Sequence, residues 1–187
     1  MNWMKKVAVA LVCLLPLGLQ AAKVDTLQVK SPSMNKSIEV VVVSPDVAAT
    51  KACPVIYLLH GYGGNARTWV GIKPDLSKIA DEKGIFFVCP DGKNTWYWDS
   101  PLNADVRYET FISDELVKYV DSHYKTVADR KGRAITGLSM GGHGAMWNGL
   151  RHSDVFSAAG STSGGVDIRP FPKNWEMSVQ IGEKAKY

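Results

Sequence analysis

The feature that most constrains the fold is a set of short, mainly apolar runs that recur along the chain and stop at turn residues. These runs are Pro54–Leu59, Ile85–Cys89 and Arg133–Leu138, with Val155–Ser161 as one further candidate. Five or six residues without polar alternation are typical of strands buried on both faces, as in parallel sheets. Segments with helical spacing separate the runs, at Pro74–Lys83, Glu109–Tyr124 and Gly141–Arg151.

Two further β-rich segments, Asp25–Lys30 and Ser37–Ser44, come first in the chain and are joined by a turn at Ser31-Pro32-Ser33. Two strands followed by strand–helix alternation predict an α/β fold, a mainly parallel sheet with helices on both faces. The 187 residues suit one domain with one core.

The N-terminus has the three parts of a secretory signal peptide. Lys5 and Lys6 precede the apolar run Val7–Leu19, and Gln20-Ala21-Ala22 supplies small residues for cleavage. An uncleaved membrane anchor is the alternative, but the apolar run is short for a bilayer. We therefore predict a signal peptide at 1–22, a mature domain at 23–187, a periplasmic or secreted location, and no stable membrane association after cleavage.

Charge and cysteine content narrow the function classes. Loss of Lys5 and Lys6 lowers the formal net charge from +4 to +2, too little and too scattered to predict nucleic-acid binding. Cys53 and Cys89 remain after cleavage. Cys53 precedes one predicted strand and Cys89 ends another, so about 15 Å of strand separates them and we predict no disulfide between them. No cluster has metal-ligand spacing, and no metal or other cofactor is predicted.

The strongest chemical signal is Gly137-Leu138-Ser139-Met140-Gly141, a Gly-x-Ser-x-Gly pattern between a predicted strand and a predicted helix. A serine on such a tight turn is strained, and glycines two residues before and after it remove clashes with neighbouring strands. This context predicts a nucleophile elbow with Ser139 as nucleophile. The alternative is a glycine-rich turn with an ordinary serine.

Two loops at the carboxyl ends of earlier strands complete the predicted site. The loop His60–Gly64 follows the first buried strand, and in folds with this elbow it supplies one oxyanion donor, here the Tyr62 N–H, beside the Met140 N–H. A phosphate-binding loop is disfavoured because no Gly-Lys-Ser/Thr follows. Trp96 and Trp98 lie in the second loop. They are predicted either to line the substrate site or to form a small core that pins the loop.

None of the four histidines fits the expected chain order of serine, then acid, then histidine. His143 is predicted to pack the helix after Ser139, and His60 to brace the loop that it opens. His123 is predicted to lie on the apolar side of its helix, and His152 follows the nucleophile helix at its far end.

The segments His60–Gly64 and Gly137–Ala145, with Trp96–Pro101 and Tyr108–Leu116 between them, resemble the esterase D family. That family includes S-formylglutathione hydrolases, feruloyl and acetyl-xylan esterases, and mycolyltransferases. The resemblance covers essentially all of 24–187 and implies an α/β-hydrolase fold. It also implies a C-terminally incomplete chain, because family members continue for roughly another hundred residues that hold the acid and the histidine.

The resemblance implies a serine carboxylic ester hydrolase that works through an acyl-enzyme on Ser139. Its substrates would be small esters or acetyl and feruloyl esters of plant polysaccharide, and this chain alone would be nearly inactive. Two alternatives stay open. One is a truncated, non-catalytic relative that binds esters or glycans, and the other is an acyltransferase of the same fold.

Overall fold

A computed structural model describes residues 22–171 and 173–182. The predicted signal peptide therefore lies outside the described residues, except for Ala22. That residue is buried, and its N–H donates to Asp81 Oδ2 at 2.8 Å.

The centre of the molecule is a six-stranded sheet with the order β1-β2-β4-β3-β5-β6. Its strands are β1 Lys23–Ser31, β2 Lys36–Ser44, β3 Val55–Leu59, β4 Phe86–Pro90, β5 Arg133–Gly137 and β6 Ala158–Ala159. The β1–β2 and β2–β4 pairs are antiparallel, whereas β4, β3, β5 and β6 run parallel to one another. The predicted strands and the mainly parallel sheet are confirmed. The candidate strand Val155–Ser161 is shorter than predicted, because only Ala158 and Ala159 pair with β5.

Within the described residues the α-helices are α1 Thr68–Ile72, α2 Leu76–Lys83, α3 Tyr108–Thr110, α4 Leu116–His123, α5 Met140–Arg151 and α6 Met177–Ile181. A π-helical turn, Phe111–Glu115, joins α3 to α4, so the predicted helix Glu109–Tyr124 is one continuous element with a wide turn inside it. Gly84 ends α2 in the left-handed conformation, with φ 63°.

Alternation along the strands divides the core into two layers. Val40 and Val42 of β2 face one layer with Leu116 of α4, whereas Val41 and Val43 face the other layer with Ala80 of α2. All six are essentially inaccessible to solvent. Successive strand side chains point to opposite faces, so the uninterrupted valine run requires apolar cover on both sides.

The cysteines test the strand register. Tyr57 pairs with Val88 in the β3–β4 ladder, which places Cys89 beside Leu58, while Cys53 lies before β3 begins. Both cysteines are buried and free, and the prediction of no disulfide is confirmed.

Candidate active site

Ser139 occupies the turn between β5 and α5 with φ 54° and ψ −116°. A positive φ is uncommon for any residue with a Cβ, and this combination lies outside the favoured regions. The prediction of a strained turn at Ser139 is confirmed. The Ser139 residue is solvent-exposed, and its own N–H donates to Thr162 O at 2.8 Å, so the turn is held while its hydroxyl stays accessible.

The flanking glycines explain why the chain turns here. A Cβ built on Gly141 would lie less than 3.0 Å from the Leu59 carbonyl and from His60 O, and one on Gly137 would meet the Gly141 backbone. The start of α5 therefore packs directly against the end of β3, backbone to backbone. Only glycine permits this approach, which places Ser139 above the carboxyl edge of the sheet.

The loop after β3 lies beside the serine. A Cβ on Gly61 would come within 3.5 Å of Ser139 Cβ, which shows how closely the two turns approach. Gly63 has φ 76°, and its N–H donates to Asn94 Oδ1 at 2.8 Å. No hydrogen bond from the Tyr62 or the Met140 N–H is found in the described part of the chain. Met140 begins α5, where a helix offers no carbonyl to its first amides.

The aromatic loop is largely internal. Trp96 and Trp98 are only 4% and 3% exposed, and their rings stack with 5.7 Å between the centroids. Tyr97, the residue between them in the sequence, is fully buried. The Tyr97 hydroxyl donates to His60 O at 3.0 Å. This placement matches the small-core alternative, although Trp98 also lines a cavity of about 410 Å³ together with Trp147.

His60 and His143 have both ring nitrogens engaged. His60 Nε2 accepts from the Gly92 N–H at 2.9 Å, so its Nδ1 carries the proton toward Gly61 O at 2.7 Å. His143 Nε2 accepts from Trp98 Nε1 at 2.9 Å, and its Nδ1 lies 2.7 Å from Gly165 O. Both act in packing, as predicted, and neither ring presents a free nitrogen to Ser139.

The other two histidines are far from the serine. His152 follows the last turn of α5, roughly 18 Å from its start, and lies 2.9 Å from Glu109 Oε1. His123 ends α4 at the opposite, amino edge of the sheet. The prediction that His123 faces the apolar side is wrong, because the ring is exposed and stacks on Tyr119 at 3.9 Å. The buried side of α4 is formed by residues such as Leu116 and Val120, which pack against the sheet. His123 is the last residue of the helix and lies beyond this packed region.

Sequence reasoning missed two residues that shape the site. Asn94 holds the Gly63 amide, and Thr162 holds the Ser139 amide through its carbonyl. Asn94 follows a strand end, which is where ligand-site residues gather in open α/β sheets, so its position was a usable signal. Thr162 acts through its backbone carbonyl oxygen. Because every residue has this group, the residue type at position 162 could not have predicted the role.

Acidification is expected to destabilise the protein through His143. Burial lowers the pKa of His143 below 6.5, and the hydrogen bond to Gly165 O opposes this only in part. As pH falls through about 6.5, the unfolded chain takes up a proton that the folded ring refuses, so the free energy of unfolding decreases until the folded pKa is reached. Urea titrations from about pH 7.5 to about pH 5.5 measure this effect.

The control for this slope is a matched pair of variants. His143→Gln is expected to flatten the dependence of the urea midpoint on pH in that window, whereas His123→Gln at the exposed ring leaves it as in the parent. An unchanged slope in His143→Gln would contradict the assignment.

No metal or membrane feature is found in the residues that the structure describes. There, no three histidine, cysteine, aspartate or glutamate side chains come together as a metal site. None of the helices within 22–171 and 173–182 has the length and apolar character needed to cross a membrane.

A mainly parallel sheet with a strained strand-to-helix serine turn defines an α/β-hydrolase fold. Residues 31–185 match the family described as "Putative esterase". The chain belongs to this esterase family.

Three known proteins illustrate the relationship. An esterase of Mycobacterium tuberculosis is 31% identical over 149 residues, which is 76% of this chain and 32% of that protein. A diacylglycerol acyltransferase/mycolyltransferase of Mycobacterium leprae is 32% identical over 158 residues, 77% of this chain and 44% of that protein. The structure of a ferulic acid esterase superposes with a TM-score of 0.72 at 30% identity, covering 88% of this chain and 69% of that one. The chain thus spans less than half the length of these two curated relatives.

Proposed function

We propose that this chain is the part of an exported serine carboxylic ester hydrolase that contains the nucleophile. Ser139 Oγ attacks the ester carbonyl, the alcohol leaves, and water then releases the acid from the acyl-enzyme. The Tyr62 and Met140 N–H groups hold the oxyanion. The substrates are small esters or acetyl and feruloyl esters linked to polysaccharide, in keeping with the ferulic acid esterase whose structure is similar.

The observation that carries the proposal is the exposed, strained Ser139 beside the Tyr62 and Met140 amides, which have no hydrogen-bond partner among the described residues. Strain at one residue costs on the order of 1–3 kcal/mol and persists only where the surrounding structure enforces it. Here Gly141 against Leu59 and the Thr162 carbonyl enforce it. Removing one oxyanion donor typically lowers the rate by about a hundred- to a thousandfold. The Tyr62 and Met140 amides would therefore make a large contribution to the rate of ester cleavage.

None of the four histidines, all of which lie in the described part of the chain, is placed to accept the Ser139 proton. His60 and His143 have no free ring nitrogen, while His123 and His152 lie far from the serine. The histidine and its acid partner would therefore come from a segment outside this sequence. This is consistent with the longer relatives.

An acyltransferase is the second candidate, supported by the Mycobacterium leprae relative. It would share the acyl-enzyme and replace water by an alcohol acceptor. Product formation that depends on an added sugar acceptor would distinguish the two reactions.

The proposal can be tested by supplying the missing base. Imidazole in solution is expected to promote acetylation of Ser139 by p-nitrophenyl acetate, detected by peptide mass spectrometry, because free imidazole can take the serine proton. Ser139→Ala is expected to abolish labelling of that peptide, whereas Ser163→Ala at a nearby exposed serine leaves it intact. Equal labelling of Ser139 and other exposed serines would contradict a prepared nucleophile.

A further inference from the structure

A polar groove lies next to the oxyanion loop and takes no part in the chemistry described above. Its volume is about 520 Å³, within the roughly 300–1,000 Å³ of small-molecule sites. Charged and amide side chains dominate its walls, namely Gln28, Lys36, Glu39, Asn65, Arg67 and Lys93. These side chains supply both hydrogen-bond donors and acceptors, which suits a ligand rich in hydroxyl groups.

Strand topology places this groove at the same sheet edge as Ser139. Val40 of β2 pairs with Pro90 at the end of β4, so Lys36–Glu39 extends beyond that end and forms one wall. The groove is also lined by Lys93, which follows β4, and by Arg67, which follows the oxyanion loop. Only β3 separates β4 from β5, so two strand spacings, about 10 Å, lie between the end of β4 and the serine turn.

Hydrogen bonds connect residues next to the groove with the oxyanion loop. Asp91, which lines the groove, precedes Gly92, whose N–H donates to His60 Nε2 at 2.9 Å. Asn94, next to Lys93, accepts from the Gly63 N–H at 2.8 Å. A ligand held in the groove therefore lies against the same loop that would hold the reacting carbonyl.

The side chains that line the groove include three cations and two carboxylates, and Lys36 Nζ also donates to the carbonyl of a third acidic residue, Asp105, at 2.7 Å. Lys93 Nζ pairs with Asp91 Oδ2 at 2.6 Å, and Arg67 Nε lies 3.5 Å from Glu39 Oε1. Burial lowers the pKa of Lys36, Asp105 opposes this, and the neighbouring Lys93 charge lowers it further. Two ammonium groups that repel one another favour a bound anion between them.

We propose that this groove binds the saccharide part of the ester substrate and that its cations select sugar chains bearing a uronic acid. This proposal takes its substrate class, an ester linked to a polysaccharide, from the proposed function. The uronate carboxylate would lie between Lys36, Arg67 and Lys93, and the hydroxyl groups would bond to the amide and carboxylate groups of the walls.

Binding can be measured without turnover, by calorimetric titration of the full chain carrying Ser139→Ala. The probes are a xylotetraose bearing one glucuronic acid, neutral xylotetraose, free glucuronate and inorganic phosphate. We expect the acidic oligosaccharide to bind about tenfold more tightly than the neutral one, as one charge-assisted hydrogen bond would give. This preference should weaken as salt rises.

Variants then locate the site. Arg67→Gln and Lys93→Gln, both at exposed positions, are expected each to raise the Kd for the acidic probe about tenfold. Lys78→Gln, an exposed lysine on α2, is the matched control and should leave the Kd unchanged. The proposal is overturned if the acidic probe does not bind, if neutral xylotetraose binds equally well, or if glucuronate or phosphate alone binds as tightly. Failure of the Ser139 chemistry would leave these binding results intact, so the two proposals fail separately.

Discussion

Gly141→Ala is expected to destabilise the folded protein severely. The added methyl group would lie less than 3.0 Å from the Leu59 carbonyl carbon, the Leu59 oxygen and His60 O, all of them backbone atoms between β3 and its loop. Neither strand nor helix can retreat, because β3 is paired on both sides and α5 is fixed at the Ser139 turn. We expect a loss of at least about 4 kcal/mol, a large part of the stability of an ordinary domain.

Gly71→Ala is the matched control for that variant. Gly71 lies exposed in α1, and a Cβ there meets no atom within 4 Å. Alanine favours a helix over glycine by up to about 1 kcal/mol, so this change should be neutral or stabilising. Urea unfolding followed by circular dichroism measures both variants. A Gly141→Ala protein with the parent midpoint would contradict the backbone contact that positions Ser139.

The second large effect concerns turnover. Residues 23–187 are expected to hydrolyse p-nitrophenyl acetate at a rate within about twofold of their own Ser139→Ala variant, because no histidine can take the serine proton. A chain extended by the acid- and histidine-bearing segment of a longer relative is expected to be active. In that chain, Ser139→Ala should lower kcat by on the order of a millionfold.

Initial rates at neutral pH, corrected for spontaneous hydrolysis, provide the measurement. Robust, Ser139-dependent turnover by 23–187 alone would show that one of His60, His123, His143 and His152 acts as the base. In that event the ring contacts described above could not persist during the reaction. The four single His→Gln variants would then identify the residue.

Most of the sheet was predictable because its signals are local. The β2 valine run and the apolar runs of β3 and β4 are uninterrupted, and only burial on both faces accommodates such segments. Ser139 was equally predictable, since the two glycines around it are needed for one kind of turn. The exposed position of His123 was not, because a helical repeat does not show where the sheet beneath the helix ends.

The sequence by itself determined the succession of strands and helices along the chain, the apolar cover on both faces of the sheet and the strained turn at Ser139, all of which follow from residue type and short-range spacing. Only the tertiary structure decided that Trp96 and Trp98 face inward and that His60 and His143 are fully engaged. It also brought Lys36, Arg67 and Lys93 from three separate segments to one groove. The physical reason is that burial, hydrogen-bond pairing and charge clustering depend on contacts between segments that are distant in the sequence. Local residue spacing does not show which of these segments come into contact.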